Sequence, residues 1–341
     1  MRILKALKKE PIDRIPFWYM RQAGRYLPEY LQLKGSDSFL ELAMNPKKAI
    51  EISIQPYKRF RMDAIILFAD ILTPLQAVGI PIEFHEKIGP TLKYDVFNKD
   101  DLKKIKNFEP EKQVFYVREI IQGIKNYIKN INDDNVALIG FSGAPFTLLS
   151  YLIEGGTAKK FEKTKEFMFN FEKDFHHLME DITNLTIEYL KFQIQSGVDL
   201  VQIFDSWGGI LSYHHYEEFC FPYLEKIIKN IKQYVPVILF VGNNAHLVKL
   251  LSLLEPDCIS LDWRVEDITM IPENIAIQGN MDPLVLFGSS ERVKKETLNI
   301  LNKFSKRKNF IFNLGHGIYP NTPLHNVEVM VQTIKEYRLN E

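Results

Sequence analysis

The chain has little cysteine: two residues in 341, Cys220 and Cys258, which lie in different segments and outside any C-x-x-C pair. No disulfide framework follows from them. Net charge is missing as well. The 43 Lys+Arg residues balance 43 Asp+Glu, so no surplus of cations is available to neutralise a phosphate backbone, and nucleic acid is not an expected partner. Long apolar runs are absent; Ala64 to Ala69 is typical, far below the roughly 18 residues that cross a bilayer. The first ten residues carry three lysines, an arginine and a glutamate, which reads as neither a signal peptide nor a membrane anchor. A reducing, cytoplasmic location is the expectation. No G-x-G-x-x-G or G-x-x-x-x-G-K-[ST] follows any apolar run, which argues against a nucleotide-binding open sheet.

What is present is an ordinary globular balance, 46% hydrophobic and 25% charged, in a length that fits two average domains or one large barrel. Eight short apolar runs stand out: 15–20, 64–69, 136–141, 200–204, 236–241, 258–263, 275–278 and 310–314. Apolar on both sides, without alternation, they suit parallel strands covered on both faces. Between them lie amphipathic stretches, 159–195, 215–234, 245–254, 290–304 and 323–337. The first could be one long helix or two abutting ones. Eight alternations of strand and helix predict an α/β fold, a single (β/α)8 barrel over residues 1–341. Insertions are expected after strands 1 and 2: a long connection over 24–61, then a hairpin of Ile82–His85 with Leu92–Tyr94 around Gly89-Pro90, followed by two helices.

In such barrels the chemistry sits at the C-terminal ends of the strands. Those ends read Arg21-Gln22-Ala23-Gly24-Arg25, Asp70, Ser142 to Pro145, Asp205-Ser206, Gly242 to Asn244, Asp262 to Arg264, Gly279 to Asp282 and Gly315-His316-Gly317. They are polar and glycine-rich. Two arginines four apart can aim two guanidinium forks into one cleft, which suits a polycarboxylate ligand; the alternative is that they pair with acids on neighbouring loops. Asp70 closes an apolar run and must be satisfied by a cation, by N–H donors or as a helix cap. His316 is either a ligand-binding donor or a packed loop histidine. His214 and Glu218, spaced i,i+4, and His176-His177 read as solvated surface rather than metal ligands. Ser142 lacks the full G-x-S-x-G spacing of a nucleophile elbow.

The segments Pro16 to Tyr30 and Gly140 to Gly156 resemble the two sequence signatures of uroporphyrinogen decarboxylase. Ile66 to Leu72, Phe204 to Gly209, Gln278 to Pro283 and Asn313 to Gly317 resemble the same family in the same order. The resemblance implies a (β/α)8 homodimer that removes carbon dioxide from the four acetate side chains of uroporphyrinogen III, giving coproporphyrinogen III in tetrapyrrole (haem) biosynthesis. No metal or organic cofactor is implied. Carried over by position, the substrate-binding residues would be Arg21, Gln22, Ala23, Gly24, Arg25, Asp70, Tyr151, Ser206 and His316, with Asp70 and Arg21 catalytic. Two features depart from the family pattern: Lys34 stands where an arginine is common, and Gly242-Asn243-Asn244 differs from a glycine-rich loop.

The substrate's chemistry matches these residue types. Its pyrrole N–H groups can converge on one carboxylate, Asp70, and a protonated pyrrole is its own electron sink, stabilised by that charge. Arg21 would position an acetate, with the proton donor open among Tyr151, His316 and water. Two other readings are a zinc- or corrinoid-linked methyltransferase of the same fold and a non-catalytic tetrapyrrole carrier.

Overall fold

A computed structural model of the chain describes residues 1–85, 88–96 and 98–338. The apolar runs become β1 (Ala64–Ile66), β4 (Ala137–Gly143), β5 (Leu200–Asp205), β6 (Val237–Val241), β7 (Cys258–Ser260), β8 (Ala276–Met281) and β9 (Phe310–Leu314); between the first two of these lie β2 (Ile82–His85) and β3 (Gly89–Leu92). The seven longer-range strands form one parallel sheet in the order β1-β4-β5-β6-β7-β8-β9. Every residue of β4, β6 and β9 is buried, as expected for parallel strands covered on both faces. The buried apolar side chains form one cluster reaching from Ile3 to Ile334.

The first run is the exception. Residues 15–20 are not a regular strand: Phe17 makes a single parallel bridge to Phe312, with Phe312 N–H donating to Pro16 O at 2.8 Å and Trp18 N–H to Phe312 O at 3.3 Å. On the other side Asp63 N–H donates to Phe17 O at 3.0 Å, while the Asp63 carboxylate accepts Phe17 N–H at 2.8 Å. The segment thus closes the ring between β9 and β1. Pro16 has no N–H to give, and a side chain rather than a neighbouring strand takes Phe17's, so the ladder cannot propagate. Asp63 is buried and also binds Arg14, at 2.7 and 2.9 Å, and Arg2.

The insertions fall where the sequence places them, except that three helices rather than two follow the hairpin, the added one a single turn opened by Pro110. After the first run come helices Pro28–Lys34, Phe39–Ala43 and Pro46–Phe60; after β1 come Thr73–Ala77, the hairpin, Lys99–Lys106, Pro110–Gln113 and Phe115–Asn130. The hairpin's second strand is Gly89–Leu92, three residues earlier than expected, with Ile82 opposite Leu92 and Phe84 opposite Pro90. Pro90 lies in the strand instead of the turn; the outer edge of that strand is held by a bridge from Thr91 to Gly156 and by Leu92 N–H donating to Gly155 O at 3.0 Å. The stretch 159–195 resolves into two abutting helices, Glu162–Asn170 and Glu172–Ser196, and 215–234 breaks at Cys220 into Tyr213–Phe219 and Phe221–Ile231. Pro222 explains the second break: it occupies the first turn of the new helix, where its missing N–H is harmless.

Inside the barrel a polar layer links four staves. Trp18 Nε1 donates to Gln278 Oε1 at 2.8 Å, and Gln278 Nε2 donates to Gln202 Oε1 at 3.0 Å and Ser260 Oγ at 2.9 Å. Nearer the C-terminal ends the interior turns aromatic, with Phe141, Phe204 and Phe240 in successive edge-on or tilted contacts 5.6 and 5.8 Å apart. These three rings line the cavity described next.

Candidate active site

A cavity of about 710 Å³ opens at the C-terminal ends of the strands, within the usual range for small-molecule sites. Arg21, Gln22, Ala23, Gly24, Arg25, Asp70, Tyr151, Ser206 and His316 all line it, although they come from five separate stretches of chain. Lys34 lines it too, so the residue that departs from the family pattern lies on the wall.

Arg21 follows the irregular first stave and adopts a left-handed backbone, φ 61°, a conformation that costs a non-glycine residue energy and clusters at functional sites. Its stem lies across Gly317: a Cβ there would sit 2.5 Å from Arg21 Cδ and 2.8 Å from Cγ. Glycine at 317 therefore makes room for the arginine. The turn itself is held from beneath, where the Tyr26 hydroxyl donates to Gln22 O at 2.6 Å and lies 2.8 Å from the Tyr19 hydroxyl. Gln22 is fully buried; its amide reaches Ala64 O only at 3.5 Å. Arg21 and Arg25 are exposed, and among the described residues neither has an acid within ion-pair distance. The alternative, that they pair with loop carboxylates, is not seen among the described residues.

Asp70 follows β1. One oxygen, Oδ1, accepts Leu72 N–H at 2.9 Å, and its own N–H reaches Thr73 Oγ1 at 3.3 Å, so the carboxylate both caps the following turn and lines the cavity. Burial pushes its carboxyl up to about 6, opposed by the Leu72 N–H and by the charge of Arg21. That same guanidinium acts on two further groups. His316 is driven down to about 4, first by burial and then by Arg21, so it is neutral at pH 7; its Nδ1 is buried without a partner among the described residues. Tyr151 is pushed up to about 12 by burial and by Asp70, with Arg21 pulling the other way. Three titratable groups from three elements thus respond to one arginine.

Sequence reading did not single out the aromatic floor, Phe141, Phe204 and Phe240, nor the outer wall of Phe39, Phe84 and His85. Phe204 and Phe141 end their runs and were legible as strand residues; Phe39 and Phe84 come from the insertions, whose docking, with rings 5.0 Å apart, has no sequence periodicity to announce it. Gly242-Asn243-Asn244 serves the scaffold: Asn244 is buried and bonds Ser260 O at 3.1 Å and Asp262 N–H at 3.2 Å. His214 and Glu218 approach to 3.7 Å on the surface. Cys220 and Cys258 are buried free thiols pushed well up by burial, and no group of three His, Cys, Asp or Glu side chains is gathered among the described residues. No described helix is long and apolar enough to cross a membrane.

Among solved structures, a methyltransferase from Methanosarcina mazei superposes with a TM-score of 0.82 at 19% identity, covering 98% of this chain and 97% of its own; at that identity the likeness speaks to fold alone. Uroporphyrinogen decarboxylase from Aquifex aeolicus (strain VF5) is 41% identical over 99% of this chain and 98% of its own length. Its counterpart from Thermodesulfovibrio yellowstonii is 42% identical with the same coverage. The family model for uroporphyrinogen decarboxylase matches residues 1–337. The chain belongs to the uroporphyrinogen decarboxylase family.

Proposed function

We propose that this cavity binds uroporphyrinogen III and that the chain converts its four acetate side chains to methyl groups, releasing carbon dioxide and giving coproporphyrinogen III. The observation that carries the reading is the juxtaposition of a desolvated carboxylate, Asp70, with two arginines that have no acid within ion-pair distance among the described residues, in a cavity floored by aromatic rings. The arginines suit the substrate's carboxylates, the rings suit the pyrrole faces, and Asp70 suits the pyrrole N–H groups, which can converge on it when the macrocycle domes.

The chemistry follows from the substrate. Protonating the ring carbon next to the one that bears the acetate converts the pyrrole into an iminium-like cation. The C–C bond to the carboxylate then breaks, its electron pair neutralises the cation and carbon dioxide leaves. A proton added to the resulting exocyclic methylene makes the methyl, and loss of the first proton restores the aromatic ring. An ionised Asp70 facing the cation favours it over the neutral ground state. At an effective dielectric of about 20, opposite charges about 4 Å apart are worth roughly 4 kcal/mol, or about a thousandfold in rate. Arg21 orients the acetate. Tyr151, protonated at neutral pH, and neutral His316 supply hydrogen bonds on the walls; the acid is one of the cavity's hydroxyls or a bound water.

The same reading carries a single catalytic domain, a homodimer, a cytoplasmic location and no metal or organic cofactor. Anaerobic incubation with uroporphyrinogen III, followed by chromatography of the oxidised products, tests it: loss of four carboxylates is expected, and activity should survive chelation and dialysis. Unchanged substrate would sink the reading. Stoichiometric zinc in the purified protein, with activity lost on its removal, would favour a methyltransferase instead.

A further inference from the structure

Asp205 ends β5 and is fully buried, outside the cavity. Its neighbours are neutral donors rather than cations. Thr147 Oγ1–H donates to Oδ1 at 2.7 Å, the Tyr216 hydroxyl donates to Oδ2 at 2.9 Å, and the Gly208 backbone N–H donates as well. Burial pushes the carboxyl up to about 6, so holding it ionised costs stability. The three donors come from three places: helix Pro145–Glu154, the turn after β5, and helix Tyr213–Phe219.

That turn carries Ser206 and Trp207. Thr147 Oγ1, besides donating to Asp205, accepts Trp207 N–H at 3.2 Å. Gly208 presses so closely on the carboxylate that a Cβ there would sit 2.3 Å from Asp205 Oδ2. Trp207 in turn lies between Tyr151, ring centroids 5.8 Å apart, and Phe161, 5.0 Å apart. The hydrogen bonds from Thr147 and from the turn after β5 therefore fix segments that reach the cavity wall, where Ser206 and Tyr151 stand.

We propose that Asp205 is a positioning residue for the decarboxylation: with Thr147 it sets the Ser206–Trp207 turn, and through the Trp207 ring it sets Tyr151, holding the two wall hydroxyls at one spacing toward the substrate. The inference rests on the function proposed above. The wild-type chain is first assayed with uroporphyrinogen III; absence of turnover there refutes the function itself and is read before any variant. Thr147→Val keeps the side chain's shape and removes both of its hydrogen bonds, whereas Thr147→Ser keeps them. The expected result is a fall in kcat/KM of about tenfold or more for Thr147→Val, carried mainly by KM, with Thr147→Ser within about threefold of wild type. A Thr147→Val protein with wild-type KM and kcat per folded molecule, whatever its melting temperature, overturns the proposal. If Thr147→Val does not fold, Asp205→Asn replaces it: equal in shape, it presents an amide to donors that need an acceptor, and an unchanged KM overturns the proposal in the same way.

Discussion

Arg21 stands on a strained backbone, lies across a glycine and biases three titratable groups, so its geometry can be perturbed without touching it. Gly317→Ala puts a Cβ within 2.5–2.9 Å of the Arg21 Cδ, Cγ and Nε atoms; the flexible stem yields, and the guanidinium leaves its place. We expect kcat/KM to fall about tenfold with little change in melting, as steady-state kinetics beside a thermal melt will read. Arg21→Ala and Arg25→Ala remove charge-assisted contacts to carboxylate, worth about 1.5–3 kcal/mol each, so each should cost roughly ten- to a hundredfold in kcat/KM while the exposed side chains leave stability unchanged. Near-normal turnover in either variant would remove the clamp. The pH profile follows from the two carboxyls held up near 6, Asp70 and Asp205. Below about pH 6 they take up protons, and because both must be ionised kcat/KM should steepen toward a hundredfold per pH unit; His316, held near 4, leaves no limb of its own above pH 5. A flat profile between pH 5 and 7 would contradict this.

At the scale of elements, the irregular first stave is the least conventional part of the barrel and leads directly into Arg21. It is pinned from below by Asp63, which receives Arg2, Arg14 and the Phe17 N–H together while 1% exposed. Asp63→Ala leaves those donors without their acceptor, and breaking a buried pair in this way costs about 3–5 kcal/mol; urea denaturation should show a loss of that size, and a loss under 1 kcal/mol would mean the stave is held by packing alone. The apolar run 15–20 was legible as a stave because burial on both faces leaves a compositional trace. Its irregularity was not, since it arises from Pro16 and from a carboxylate 46 residues downstream of Phe17. The hairpin's register was missed for a related reason: Gly89-Pro90 has turn composition, yet Pro90 sits in the strand opposite Phe84, and the strand's outer edge is bridged to Gly156, well downstream of Pro90. The helix break at Phe171 has no proline or glycine to announce it, whereas the one at Cys220 was legible in Pro222.

For the whole molecule, the alternation of strands and helices disclosed the architecture, and the barrel's polarity disclosed which end holds the cavity; the nine residues expected at the site all line it. What composition could not disclose was the cavity's electrostatic cost. A carboxyl raised from 3.8 to about 6 contributes stability below pH 4 that is lost as pH rises through 6, so at neutral pH the fold holds Asp70 ionised against roughly 3 kcal/mol, an upper figure because the cavity admits water. An active carboxylate should therefore weaken the molecule it serves, whereas a structural one should strengthen it. The direct measurement is kcat, beside a melt, for Asp70→Asn at about pH 7.5 with uroporphyrinogen III under anaerobic conditions. Asparagine keeps the oxygen that accepts Leu72 N–H and loses the charge. We predict kcat reduced about a thousandfold and a melting temperature raised by roughly 1–4 °C; near-wild-type kcat in a normally folded Asp70→Asn protein would contradict electrostatic stabilisation by Asp70.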